Sequence, residues 1–161
     1  MTQTKTERVD GGEHLDVIPI SSKCTAICGK SFKGRSCAKT LAVNIYKTGN
    51  PERSTKVYAM LDEHCNRSLI SPEVLDTLGI HTAETQYTLT SCSGSYQTAG
   101  RIAHNLTIQS LDKDYNLELP TVIECPEIPN DVTEIPTPDV AQHFPHLQGI
   151  ANMIPPYDPD V

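Results

Sequence analysis

One acidic residue stands where a carboxylate could do acid/base chemistry. The apolar-rich run from Val57 to Leu61 predicts a strand, Asp62 opens a polar turn, and Leu69 and Ile70 begin a second strand. A carboxylate on a short loop between buried strands is held in place and partly desolvated, which are the conditions that acid/base chemistry needs. Asp62 is therefore the first catalytic candidate. The alternative is that its side chain only caps the turn.

The segments around Asp62 predict a hairpin before it and a helix after it. Residues 41–46 and 54–61 alternate in the manner of strands, and the turn-forming residues 47–51 join them as an antiparallel hairpin. Ser71 suits an N-cap, Pro72 the first helical position and Gly79 a stop, so residues 72–78 predict one short helix.

A second β region follows the helix. Residues 86–90 and 101–110 are strand candidates, and the small residues of 91–100 between them predict a flexible hairpin tip. This hairpin could be a mobile cover or an ordinary surface hairpin. A further antiparallel pair is expected from residues 106–111 and 115–125, with a turn at 112–114.

The chain of 161 residues has room for one domain core with tails. Residues 1–20 are expected to be a polar, disordered tail, and 21–128 to form the β domain. Nine of the 12 prolines lie from Pro120 onward, so residues 129–161 are expected to be extended or irregular around a short helix at 139–144. Because no closing element follows, this segment is interpreted as truncated before the domain ends.

Composition excludes several classes of function. The formal net charge of −7 and the scattered Lys and Arg residues argue against direct nucleic-acid binding. The chain has no apolar run of the length a membrane span needs and no signal-peptide core at its amino terminus. The six cysteines are therefore expected to be reduced thiols in an intracellular, cytoplasmic protein.

Two groups of residues invite a metal interpretation. Cys24, Cys28 and Cys37 have C-x3-C-x8-C spacing, with His14 as a possible fourth ligand, but the paired close-spaced ligands of a zinc knuckle are missing. His143 and His146 flank Phe144 and Pro145 without a carboxylate at helical spacing. Free thiols and solvated or packing histidines are favoured, so neither a metal nor a cofactor is expected.

Several motifs in order resemble one known family. CTAICG from Cys24, GRSC from Gly34, VYAMLDEHCNRSLI, TLTSCSGSYQTAGR, LELPTVIECPEIPND and EIPTPDVAQHFPHLQGIANMIPP are similar to the peptidase region of BEL/Pao-type retrotransposon polyproteins. The similarity spans residues 24–161. It implies an all-β, retropepsin-like closed barrel with one short helix, in which the hairpin around 92–100 is the flap and Ser93, Gly94 and Ser95 bind substrate.

The resemblance also implies a mechanism and partners. Retropepsin-like aspartic peptidases use one Asp from each of two subunits, so Asp62 would act in a homodimer that cleaves a peptide or polyprotein substrate. The family places Ser or Thr and then Gly after this Asp, whereas here Glu63 and His64 follow it, with Cys65 and Asn66 completing the active-site loop. The alternative is thus a catalytically inactive remnant, a β domain for dimerisation or peptide binding.

Overall fold

The computed structural model describes residues 18–21, 39–91, 93–130 and 132–161. Within these residues the strands form two sheets, and two short α-helices and three single turns of 3-10 helix accompany them. The strands are β1 (Ile18–Ser21), β2 (Lys39–Lys47), β3 (Thr55–Leu61), β4 (Ser68–Ile70), β5 (Glu84–Ser91), β6 (Gly94–Ala103), β7 (Leu106–Gln109), β8 (Asn116–Leu119) and β9 (Val122–Glu124). The five-stranded sheet has the order β1-β5-β6-β9-β4, and the four-stranded sheet has the order β3-β2-β7-β8.

The all-β prediction is confirmed at this coarse level, but the described strands do not close into a barrel. The helix predicted at 72–78 is present as α1 (Pro72–Thr77), and the short helix predicted at 139–144 is present as α2 (Pro138–Gln142) in the proline-rich segment. Ser71 occupies the N-cap of α1 without a side-chain capping hydrogen bond, and Gly79 follows with a φ of +62°. The Thr137 side chain does cap α2, because its oxygen accepts from the amide of Val140.

The hairpin that precedes Asp62 is confirmed. Strands β2 and β3 pair antiparallel from Lys39 opposite Leu61 to Ile45 opposite Thr55, and a 3-10 turn at Pro51–Arg53 lies in the connection. Asn50 and Gly49 supply the turn, with Gly49 at a φ of +88° that suits glycine. The register places the end of β3, and therefore Asp62, beside the start of β2.

The second hairpin is longer than the sequence predicts. Residues 94–100, expected to be part of a flexible loop, form most of β6 and pair with β5 from Gly94 opposite Ser91 onward. Small polar residues have low intrinsic strand preference, but the cross-strand partners on β5 override that preference. Strand β5 thus ends at Ser91 and β6 begins at Gly94.

Two of the expected long strands are each divided in two. Residues 101–110 break after Ala103, where Asn105 takes a φ of +57°, so that β6 and β7 belong to different sheets. Residues 115–125 break at Pro120, which separates β8 in one sheet from β9 in the other. Proline cannot donate to a ladder, and asparagine tolerates the left-handed region, so both breaks have a local cause.

The core consists of two clusters. Ile45, Leu75, Leu106 and Val122 belong to the first, which lies between the four-stranded sheet and α1. Tyr87, Leu89, Ile123 and Cys125 form the second, which lies on the five-stranded sheet. Strand β9 contributes Val122 to one cluster and Ile123 to the other, so the short segment from 122 to 125 joins both cores.

The end of the proline-rich segment contacts the outer face of the four-stranded sheet, the face on which Tyr58 lies opposite Ala42. On this face Ala42, Tyr46 and Thr107 are buried although they point away from the first core. At its edge the Tyr157 ring stacks on Tyr58 with 5.9 Å between ring centres. Besides the predicted short helix, present as α2, the segment contains 3-10 turns at Val132–Glu134 and Ala151–Met153 that the sequence analysis did not predict.

Two hydrogen-bonded contacts fix the end of that segment on β3. The Asp158 amide donates to the Tyr58 hydroxyl at 2.8 Å, and Lys56 Nζ donates to Asp158 Oδ2 at 2.7 Å. The Lys56 ammonium lowers the pKa of the Asp158 carboxyl, and the same contact raises the pKa of Lys56. The proline-rich segment therefore belongs to the folded unit.

Replacing Gly100 with Ala should destabilise the protein, because β6 approaches β9 most closely there. A Cβ on Gly100 would lie 2.5 Å from the backbone oxygen of Glu124, a contact that requires the backbone to shift. We expect the free energy of unfolding to fall by about 2 kcal/mol. Gly149→Ala is the matched control, since its Cβ would have no described atom within 4 Å. Urea unfolding of both variants measures the difference, and equal stabilities would contradict the close approach.

Candidate active site

Asp62 is the first residue after β3, and its side chain is half-buried. Its Oδ1 accepts a hydrogen bond from the His64 amide at 2.9 Å, and its carbonyl oxygen accepts one from the Cys65 amide at 3.3 Å. The side chain thus caps the turn, as the alternative interpretation predicts. The same bonds hold the carboxylate in one orientation at the end of the strand, which a catalytic carboxylate also requires.

Glu63 points away from the acid turn towards β2. Its Oε1 forms an exposed ion pair with Lys39 Nζ at the first residue of that strand. Hydrogen bonding and the charge of Lys39 lower the pKa of the Glu63 carboxyl. The extra negative charge expected beside Asp62 is therefore balanced by Lys39.

The rest of the loop is fixed through Cys65. This half-buried side chain packs against the second core cluster, and its thiol donates to the Arg67 carbonyl at 3.0 Å. His64 and Asn66 are exposed on either side of it, and the Asn66 carbonyl accepts from Arg67 Nη1 at 3.0 Å. One buried contact in an otherwise exposed loop is enough to tie the turn to the protein interior.

The hairpin tip predicted to bind substrate is exposed and held by short-range hydrogen bonds. The hydroxyls of Ser91 and Ser93 lie 2.7 Å apart, and those of Thr90 and Ser95 lie 2.8 Å apart across the two strands. Gly94 begins β6 at a φ of +129°, a backbone conformation that side chains rarely permit. Ser93, Gly94 and Ser95 therefore lie on a structured tip.

The acid loop and the hairpin meet in one core. Tyr87 and Leu89 of β5 are buried in the cluster against which Cys65 packs. The Tyr87 hydroxyl donates to the Glu124 carbonyl at 2.8 Å, and burial raises the pKa of Tyr87 far above its usual range. Opposite Leu89, on the same face of the hairpin, Tyr96 remains 43% exposed. The base of the hairpin and the acid loop thus pack in the same core cluster. Nearer its tip the hairpin exposes an aromatic side chain.

Arg101 is a residue whose importance the sequence analysis missed. It lies in β6 and is largely buried, with a side-chain exposure of 14%, and its partner Glu124 in β9 is 13% exposed. Arg101 Nε and Nη2 donate to the two Glu124 carboxylate oxygens at 2.9 and 2.8 Å, a bidentate pair. The sequence feature that could have revealed this pair is that each of the two charged residues lies in a predicted strand between apolar neighbours.

Further bonds connect Arg101 to helix α1 and to the segment that follows it. Nη1 donates to Asp76 Oδ1 at 2.6 Å and to the Ile80 carbonyl at 3.0 Å, while Nη2 also reaches the Pro72 carbonyl at 3.2 Å. The arginine pair lowers the pKa of the Glu124 carboxyl. One guanidinium therefore joins the base of the hairpin to β9 and to both ends of α1.

The predicted metal candidates have different outcomes. Cys24, Cys28, Cys37 and His14 lie outside the described residues. His143 is placed with Nδ1 2.6 Å from the Asp139 carbonyl oxygen, and the His146 ring packs edge-on to Phe144 at 6.0 Å. Across the described part of the chain, no three His, Cys, Asp or Glu side chains are grouped so that they could hold a metal ion.

Comparisons with family models, with curated proteins and with solved structures find no match to this chain. Among the helices that the structure describes, none is both long enough and apolar enough to span a membrane.

Replacing Glu124 with Gln should destabilise the protein in a pH-dependent manner. Because the folded-state pKa of Glu124 is lowered, its ionised form stabilises the fold above its unfolded pKa of about 4.5, and this contribution is lost as the pH falls through the folded value. We expect a loss of about 3 kcal/mol at pH 7 that shrinks towards pH 3.

Urea unfolding from pH 3 to pH 7 measures the effect of Glu124→Gln. Glu118→Gln is the control, because Glu118 is exposed on β8 and the same charge is removed there. A stability difference between Glu124→Gln and wild type that stays constant with pH would refute the contribution of the ion pair.

Proposed function

We propose that this chain is a retroelement-derived aspartic endopeptidase domain that cleaves polyprotein peptide bonds as a homodimer. The observation that carries the proposal is the position of Asp62, on a turn tied through Cys65 to the core beneath the β5-β6 hairpin. A carboxylate at a strand end and a hairpin built on the same core are the two parts that such a site needs. The resemblance of the sequence motifs supplies the reaction class.

The chemistry requires a second carboxylate. In an aspartic dyad two like charges share a proton, so that one group activates water while the protonated group polarises the peptide carbonyl. Asp62 of one chain would face Asp62 of its partner across a two-fold axis. The hairpin tips at Ser93, Gly94 and Ser95 would then cover an extended peptide and bind its main chain.

An exposed apolar surface beside Asp62 supports a second copy as the partner. Leu41 and Leu61 lie on the same face of the β2-β3 hairpin as the buried residues Val43 and Ile45, yet they are 43% and 55% exposed. The core-facing side of this hairpin therefore continues beyond the core clusters formed by the described residues. It does so next to the turn on which the second carboxylate is needed.

The alternative function is a non-catalytic domain that binds peptides or dimerises. The specific observation in its favour is the acid turn, where His64 occupies the position at which the family has a small residue. The Asp62 side chain already has a structural role there, because it caps the turn through the His64 amide. The two functions differ in whether the Asp62 carboxylate is needed for peptide cleavage.

Asp62→Asn should abolish peptide cleavage by the purified chain. An amide cannot share the proton of the dyad, so we expect cleavage of a peptide library at pH 5 to 7 to fall by at least about a thousandfold. Asp114→Asn is the control, since Asp114 is exposed in the β7-β8 turn. Mass spectrometry of the products measures both variants, and wild-type cleavage equal to that of Asp62→Asn would favour the non-catalytic alternative.

Mixing subunits tests whether each chain supplies one Asp. Excess Asp62→Asn protein should lower the activity of a fixed amount of wild-type protein, because most wild-type chains would then sit in dimers with one carboxylate. The same excess of Asp114→Asn protein, which keeps Asp62, should instead raise the total activity, so a fall in activity is specific to the missing carboxylate. Activity that is independent of the added inactive chain would contradict a shared site.

Leu61→Ser should weaken dimerisation with little effect on the fold. Leu61 is 55% exposed, so the free energy of unfolding of the monomer should change by less than about 0.5 kcal/mol. Leu117→Ser is the matched control, because Leu117 is 60% exposed on β8 at the other edge of the sheet. Sedimentation velocity over a concentration series compares them, and equal dissociation constants would place the interface elsewhere.

A further inference from the structure

A cavity lies at the end of the four-stranded sheet that is farthest from Asp62. It has a volume of about 420 Å³ and is lined by the end of β2, the residues after α1 and the turn between β6 and β7. In the β2-β3 register Lys39 lies beside the end of β3, and Lys47 lies at the opposite end of β2. Lys39, beside the acid turn, and Lys47, at the cavity, are eight residues apart in an extended strand, which corresponds to about 26 Å.

The chemistry of the cavity wall is basic. Lys47, His81 and His104 line it, and none of the described residues that line it is acidic. The chain as a whole has 20 acidic and 13 Lys or Arg residues, with a net charge of −7. Three nitrogen-bearing side chains in one concave site, without a carboxylate, therefore contrast with the overall charge and favour an anionic ligand.

The side chains have donors left for such a ligand. Lys47 Nζ donates to the Gly79 carbonyl at 3.0 Å, which positions the ammonium at the cavity and uses one of its three protons. His104 Nδ1 lies 3.2 Å from Thr121 Oγ1. When Nδ1 accepts the hydroxyl proton, Nε2 carries the ring proton and can donate it to a ligand.

The backbone around the cavity is fixed. The Thr48 amide donates to the Asn105 carbonyl at 2.8 Å and ties the β2 turn to the β6-β7 turn. The Thr82 hydroxyl donates to the Ile102 carbonyl at 2.9 Å and ties the segment before β5 to β6. Ile80 and Ala103 are buried at its base. The segments that line this open cavity are thus joined to one another by hydrogen bonds.

We propose that this cavity binds a phosphate group, with Lys47 as the charged donor and His81 and His104 as flanking donors. A tetrahedral oxyanion offers several acceptor oxygens to donors that converge from different elements, and Lys is a common phosphate-binding residue. The site is separate from the proposed catalytic turn and does not depend on peptidase activity.

Titration of the full chain with sodium phosphate, at constant ionic strength kept with sodium chloride, tests the proposal by amide NMR shifts. We expect saturable shifts at Thr48, Gly79, Thr82 and Asn105, and at least a fivefold weaker affinity in Lys47→Met. Lys113→Met is the matched control, since it removes the same charge from the β7-β8 turn. His81→Asn and His104→Asn should each weaken binding as well, whereas His146→Asn should not.

Three outcomes would overturn the proposal. Shifts that fail to saturate would mean that there is no site, and equal affinity in Lys47→Met and Lys113→Met would mean that phosphate binds elsewhere. Tighter binding of acetate than of phosphate would assign the cavity to a carboxylate. The wild-type amide spectrum is the reference for each variant, and the Asp62→Asn protein should bind phosphate as wild type does.

Discussion

The buried guanidinium of Arg101 is the interaction on which the arrangement of the other elements depends. A charge that is largely removed from water is costly unless it is paired and hydrogen-bonded, and here Glu124, Asp76 and two backbone carbonyls satisfy it. These partners come from β9, from α1 and from the segment after α1. Any displacement of β6 relative to them would leave an unpaired buried charge, so the base of the β5-β6 hairpin is fixed.

The close approach at Gly100 and the ion pair at Arg101 act together. Gly100 allows β6 to approach the Glu124 backbone, and the next residue along the strand then reaches the Glu124 side chain. Strand β9 in turn pairs in parallel with β4, which follows the acid loop. A continuous set of strand contacts therefore runs from the hairpin base to the loop that begins at Asp62. The candidate site is therefore held in place by β9, through its pairing with β4, and by the second core cluster.

The parts of the fold that the sequence predicted well are those set by local patterns. The β2-β3 hairpin, the start of α1 at Pro72 and the place of Asp62 at a strand end all follow from short-range alternation and turn residues. The extent of β6 did not follow, because small residues such as Ser95 and Gly100 have low intrinsic strand preference and form a strand through their pairing with β5. The pairing of Arg101 with Glu124 is likewise a product of register, which no local pattern encodes.

The packing of the proline-rich segment is another feature that local sequence patterns did not predict. Its prolines predicted a mostly extended or irregular segment around one short helix, and α2 is that helix. Its contacts with β3 could not be predicted in this way, because Tyr58 and Lys56 lie 100 and 102 residues before Asp158. Successive residues of β2 point to opposite faces of the four-stranded sheet. Ile45 is buried on the core face and Tyr46 is buried on the outer face. A strand buried on both faces has no clear polar side to reveal its exposure.

The acid turn joins these constraints to the proposed chemistry. Glu63 and His64 stand where aspartic peptidases have a hydroxyl residue and then a glycine. The Glu63 side chain is directed to Lys39, and His64 contributes its backbone amide to the turn. The His64 side chain is exposed, so its bulk would hinder a molecule that approaches the turn from outside. A partner chain would approach along the surface that includes Leu41 and Leu61. The proposed catalysis would thus require room for two exposed imidazoles where the turns of two chains meet. This would be a steric condition of the proposed dimer, and the charge of Glu63 does not affect it.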